Sequence, residues 1–153
     1  MTTVTVRRAT AADAAVAADI YIRARHNAVP AIPPMVHPDD DVRCYWAEVL
    51  FVSHEVWLAD DAAGQAIAVM ALEDDWVDQL YVAPGCTGAG VGTALLNLAK
   101  ERQPDGLRLW AFQSNVDARR FYERHGFVEV DSTTGDNEEH APDVLYKWIP
   151  RSA

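Results

Sequence analysis

Residues 87–92 read Thr-Gly-Ala-Gly-Val-Gly and stand between two runs of different period. Upstream, Trp76–Val82 is strand-like and is stopped by Pro84-Gly85. Downstream, Val91, Ala94, Leu95, Leu98 and Ala99 recur at helical spacing until Pro104-Asp105-Gly106 ends the pattern. Leu107–Phe112 is strand-like again. Strand, helix and strand joined in this way form a βαβ unit, whose right-handed crossover makes the two strands parallel. Glycines lack Cβ, so successive backbone N–H groups can crowd around an anion, and the dipole of the following helix adds to the attraction. A pyrophosphate fits such a turn, although a tight strand-to-helix connection alone also accounts for the glycines. No Gly-Lys-Ser/Thr follows, which excludes a P-loop, and the spacing Gly88, Gly90, Gly92 is not the dinucleotide fingerprint.

The rest of the chain arranges itself around this unit. Val4–Arg7 predicts a first strand, and Thr10-Ala-Ala-Asp13 has capping-box spacing before an Ala-rich helix running to about Arg25. Residues 28–38 hold four prolines and cannot form one helix. Asp39-Asp40-Asp41 then opens a second helix to about Leu50. Glu55–Ala59 and Gln65–Leu72 predict a strand pair turning at residues 60–64. Asn115–His125 predicts a helix closed by Gly126, with strands at Phe127–Val130 and Val144–Trp148 and a polar loop between them. The expected fold class is α/β: a single domain over 1–153 with a mixed central sheet, a parallel βαβ core and helices on both faces.

Composition narrows the function. A formal charge of −10 works against nucleic-acid binding, which needs clustered Lys and Arg, and favours cationic partners such as amines. The same acidity also serves solubility alone. No apolar run reaches a membrane span, no signal-peptide pattern opens the chain, and two cysteines without CxxC spacing fit a reducing cytoplasm. Five scattered histidines give no metal-site spacing, so no metal is expected.

Asn115, Ala118, Arg119 and Tyr122 share one helical face. Asn115 can be a simple N-cap and Tyr122 a core tyrosine. Taken with Leu80-Tyr-Val-Ala-Pro84 and Thr87-Gly-Ala-Gly-Val-Gly-Thr-Ala-Leu-Leu96, however, the segment Asn115–Phe127 resembles the second of two cofactor motifs of the GNAT acetyltransferase superfamily. The resemblance covers about Glu55–Trp148 and implies an acetyl-CoA-binding core at about 55–148, with an acceptor-binding part at about 1–54. Thr87 stands where the family carries Gln or Arg, which weakens one side-chain contact and leaves the backbone amides of Gly88, Ala89, Gly90, Val91 and Gly92 to carry most of the pyrophosphate binding, with Thr87 and Thr93 flanking them in the implied cofactor site. The resemblance further implies that Leu80, Tyr81 and Val82 hold the pantetheine arm like an added strand, and that Asn115 holds it from the other side. It places Arg119 near a phosphate or the adenine, and makes Tyr122 the general acid for the departing thiolate.

Acetyl transfer needs a neutral amine, and deprotonating a lysine-like amine at neutral pH costs about 4–5 kcal/mol. A carboxylate, directly or through water, is the usual helper. Glu73, Asp74, Asp75 and Asp78 lie near the strand expected to hold the thioester, and Asp78 and then Glu73 are the candidate bases. In one continuous strand Asp74, Trp76, Asp78, Leu80 and Val82 share a face, a count that a bulge near Glu73–Asp75 would spoil. The acidic run 73–75 also reads as an exposed strand end. Candidate acceptor contacts are Trp76 as a cation–π surface, His37, His54, Glu138 and Glu139. The expected function is N-acetylation of a small molecule or protein amine, by direct attack in a ternary complex. The alternatives are a non-catalytic acyl-CoA-binding or sensing domain and a nucleotide-binding domain. A homodimer through the closing strands stays open.

Overall fold

The apolar run Ile67–Leu72 is buried throughout, as expected of a central strand covered on both faces. It lies in β3 (Ala66–Glu73) of the computed structural model, which describes residues 3–150. Residues 1–2 and 151–153 of the single-domain reading lie outside them. Around β3 the sheet adds β1 (Thr5–Arg8), β2 (Glu55–Asp60), β4 (Trp76–Val82), β5 (Leu107–Phe112), β6 (Val128–Ser132) and β7 (Asp143–Trp148). The order is β1-β2-β3-β4-β5-β7-β6, and every neighbouring pair is antiparallel except β4 with β5. The mixed sheet and its parallel pair match the sequence expectation.

Helices cover both faces. α1 (Ala14–Ala28), α2 (Asp39–Tyr45) and the turn that follows α2 pack Ile20, Ile22, Val42 and Trp46 against Val56, Leu58, Val69 and Ala71. α4 (Val91–Arg102) and α5 (Val116–Arg124) pack Leu95, Leu96 and Tyr122 against Met70, Leu72, Leu107, Leu109 and Tyr146 on the other face. Between α2 and the short α3 (Phe51–Ser53) lies a π-helical stretch, Trp46–Leu50, so the second helical segment runs three residues past the expected end. Before α1, the Thr10 amide donates to the Asp13 carboxylate at 2.9 Å, and Arg7 braces that carboxylate at 3.1 Å.

One expectation fails. Ala71 pairs with Gln79 but Leu72 pairs with Val77, so Asp78 is an extra residue, a β-bulge in β4. The bulge shifts the side-chain alternation. Leu80 and Val82 pack with the α4–α5 core, whereas Asp78 turns to the α2–α3 side. Asp74 leaves the strand altogether in a left-handed turn (φ 52°). The five residues expected to share a face therefore do not.

Leu96 is fully buried beneath α4. Leu96→Ala is expected to cost about 2–5 kcal/mol, read as a lower urea midpoint with unchanged slope.

Candidate active site

β4 and β5 are held together at one end. Trp76 opposite Arg108 is their only registered pair among the described residues, next to an Arg108 N–H donating to the Asp75 carbonyl at 2.8 Å. The Arg108 guanidinium is gripped by both Asp75 oxygens at 2.8 Å and lies 4.2 Å over the Trp76 ring. That ion pair holds the Asp75 carboxyl below the usual carboxylate range. It also occupies a face of Trp76, the residue expected to offer a cation–π surface. Past this clamp the β5-facing edge of Leu80, Tyr81 and Val82 has no registered ladder partner in β5, so the two strands part.

The glycine turn sits beyond the end of β4. Gly88 and Gly90 adopt φ of 82° and 80°, a region costly for any residue with a Cβ, and Gly90 is the N-cap of α4. Thr87, Gly88, Ala89 and Gly90 are exposed, and open space lies where side chains of the two glycines would go. An exposed turn with N–H groups at a helix start suits an anion. The rest of the motif has structural work. Val91 is buried in the core. A Cβ on Gly92 would lie 3.2 Å from the Phe121 ring, so α4 and α5 touch there. The Thr93 hydroxyl lies 3.1 Å from His125 Nε2, while His125 Nδ1 faces the Phe121 carbonyl at 2.7 Å. Nδ1 is thereby the donor and Nε2 the acceptor.

α5 carries the other expected residues. Tyr122 is 9% exposed, ringed by Phe121, Phe127 and Tyr146 at 5.3, 5.7 and 6.2 Å between centroids. Loss of water pushes its phenol well above the ordinary value, so it stays protonated. Asn115 accepts the Ala118 N–H at 3.4 Å and caps the helix, using its carbonyl oxygen and leaving its NH2 group. Arg119 gives Nε to the Tyr146 hydroxyl at 3.0 Å, Nη1 to the Gln113 carbonyl at 3.2 Å and Nη2 to Glu129 at 3.4 Å. These bonds fasten α5 to β6 and β7 rather than reaching toward the glycine turn.

At the clamped end of β4 the two candidate bases converge on a third residue. His54, with its side chain 8% exposed, has Nε2 3.1 Å from Asp78 and Nδ1 3.7 Å from Glu73. Nδ1 also meets Ser53 Oγ at 2.6 Å, and Oγ lies 2.8 Å from the Val49 carbonyl. The Asp78 bulge produces this meeting, since it turns Asp78 to the side from which His54 enters. Burial and the charges of Asp78, Glu73 and Glu138 push the Tyr45 phenol up, so the end of α2 overlooks the same acids.

His37 and Glu138 are 101 residues apart in sequence and 2.7 Å apart in space. They tie the Pro-rich loop (residues 29–38) to the loop between β6 and β7. Glu139 adds negative charge near Tyr21. The sequence reading missed Arg25, which is 4% exposed near the end of α1 and donates to the Tyr21 hydroxyl at 2.8 Å and the Pro33 carbonyl at 3.1 Å. One arginine in an Ala-rich helix carries no signal of burial. Among the described residues no three His, Cys, Asp or Glu side chains are grouped to hold a metal ion, and no helix is long and apolar enough to cross a membrane.

The Glu138 carboxylate holds the His37 imidazole above its ordinary value. The bridge is therefore complete below about pH 6.5 and is lost as pH rises through the raised value. NMR titration of His37 is expected to give a higher pKa than in Glu138→Gln, and amide protection of residues 35–37 is expected to fall over the same pH window.

The family model described as an acetyltransferase (GNAT) domain matches residues 52–129. The peptidyl-lysine N-acetyltransferase YiaC of Escherichia coli is 28% identical over 111 residues, 68% of this chain and 75% of that protein. A probable N-acetyltransferase of Mycobacterium tuberculosis is 32% identical over 110 residues, 62% of each chain. The solution structure of apo YjaB from Escherichia coli superposes with a TM-score of 0.78 over 97% of this chain and 99% of that one, at 22% identity, a likeness of fold. The matched region contains the parted strands, the glycine turn and the Tyr122 helix, and the chain belongs to the GNAT acetyltransferase family.

Proposed function

We propose that the protein moves an acetyl group from acetyl-CoA to a primary amine of a small molecule or protein, by direct attack with both partners bound. The observation that carries this reading is the parting of β4 and β5 after a single registered pair, with an anion-suited glycine turn beyond one end and a carboxylate–imidazole cluster at the other. The family assignment and the N-acetyltransferase names of the relatives support it.

The residues present fit acetyl-CoA. The turn at Gly88–Gly90 offers N–H groups and a helix start to a pyrophosphate, and Thr87 adds no long side chain to it. The unpaired edge of Leu80–Val82 can hydrogen-bond an extended pantetheine arm, with the Asn115 NH2 group opposite. Bound acetyl-CoA supplies an activated thioester. Backbone amides near Leu80–Val82 polarise its carbonyl. Asp78, with His54 and Glu73 behind it, takes the proton that keeps the amine from reacting, directly or through a water. Tyr122, kept protonated by burial, gives its proton to the leaving sulfur. The free thiols of Cys44 and Cys86 fit a cytoplasmic site of action.

Calorimetry with acetyl-CoA, CoA, ATP and NAD tests the donor, and thiol release over an amine panel tests transfer. Acetyl-CoA is expected to bind in the micromolar range. Gly90→Val, which forces a branched side chain into a left-handed turn, is expected to weaken it at least tenfold. Tyr122→Phe and Asp78→Asn are each expected to lower kcat about 10²–10⁴-fold with donor binding kept. Binding without release for any amine would instead identify a non-catalytic acyl-CoA-binding domain, and tighter ATP or NAD binding would overturn the donor.

A further inference from the structure

Arg25 is the one charged side chain in the buried set among the described residues. A guanidinium has five N–H donors and carries its charge at any working pH. Here Nη1 and Nη2 each donate to a neutral oxygen, of Tyr21 and of Pro33, while Nε has no partner at all. No carboxylate of the described residues lies within ion-pairing distance of it. The chain has 23 acidic residues, and the arginines that stitch its elements together each face one: Arg7 with Asp60, Arg102 with Glu55, Arg108 with Asp75, Arg119 with Glu129. Burying an unpaired charge is strongly unfavourable, so an added carboxylate would relieve a cost that the fold already bears.

The location says where that partner would sit. The guanidinium lies 5.9 Å from the ring of Phe112, the last residue of β5, and 5.6 Å from the ring of Tyr21. Tyr21 in turn stands edge-on to Tyr81 of β4 at 4.8 Å. Arg25 therefore links the parted ends of β4 and β5 on the α1–α2 side of the sheet. His54, Glu73 and Asp78 lie on the same side, toward the start of β4. The Pro-rich loop, which takes one Arg25 bond through Pro33, is latched above by His37 and Glu138.

We propose that Arg25 receives a carboxylate of the acceptor, so that the acceptors are amines that also bear a carboxylate. The amine is turned to the His54–Glu73–Asp78 cluster and the carboxylate to Arg25, which engages it through the unpartnered Nε and one Nη and gives up at most one of its bonds to Tyr21 and Pro33. This inference rests on the acetyltransferase reading for the chemistry but not for the binding.

The binding is tested on the unmodified protein by following the Arg25 Nε–H signal in 15N NMR, while amino acids of graded length, their carboxamides and their decarboxylated amines are added. The amino acids are expected to shift that signal at saturation and to bind at least tenfold tighter than the matched carboxamide or amine. Arg25→Gln is expected to erase the preference by raising KM for the amino acid alone, and Arg25→Lys to restore part of it. An unmoved Nε–H signal, equal affinity across each matched set, or an Arg25→Gln variant that weakens all acceptors alike overturns the proposal and leaves Arg25 as a brace for the Pro-rich loop. Acetyl-CoA binding measured in parallel separates the two readings: its loss overturns the donor whatever Arg25 does, and its retention beside an unmoved Arg25 signal removes only the carboxylate.

Discussion

The parallel contact between β4 and β5 is the constraint from which the site follows. A parallel pair would ordinarily zip along its length, each residue adding an evenly spaced hydrogen bond. Here the Asp75–Arg108–Trp76 clamp closes the pair at its first step, and no registered pair follows. With no further pair registered, the β5-facing edge of Leu80–Val82 is open to another extended partner. An extended ligand that pairs with it behaves as a missing strand. The parted stretch is thus an unfinished part of the sheet.

The bulge at Asp78 divides the labour between the two faces. Without it, Asp78 would lie in step with Leu80 and Val82 and point into the apolar layer under α4 and α5. The extra residue sends the carboxylate to the opposite face, where His54 arrives from the end of α3. The two sides of the sheet accordingly differ in character. One carries buried Tyr122 in an aromatic surround, an environment that favours neutral species. The other gathers Glu73, Asp78, Glu138 and the histidines that face them.

Much of the architecture is legible in the sequence because its signals are local. The switch of period from Trp76–Val82 to the helix after Gly90, and the Pro and Gly residues that punctuate it, define the βαβ unit without reference to anything distant. The capping box at Thr10 and the cap at Asn115 are equally short-range. What escapes is set across the sheet. Trp-Val-Asp-Gln-Leu-Tyr-Val alternates plausibly with or without a bulge, since only the register against β3 reveals the extra residue. The meeting of His54 with Glu73 and Asp78 depends on three strand ends coinciding. Trp76 and Arg119 look available in the sequence and are engaged in the fold, by Arg108 and by Tyr146, Gln113 and Glu129 respectively. Arg25 is hidden for the converse reason: nothing in its neighbours along the chain foretells that Tyr21, Pro33 and Phe112 will enclose it.

The contact between Gly92 and Phe121 has a mechanical meaning. The backbone of α4's first turn abuts an aromatic ring one residue before Tyr122, and the Thr93–His125 bond pins the same joint from the far end of α5. A Cβ at Gly92 would sit 3.2 Å from that ring, tighter than ordinary contact, so the two helices meet there without an intervening side chain. The spacing between the start of α4 and the segment that carries Tyr122 is therefore set at one contact, backbone against ring, rather than by interleaved side chains.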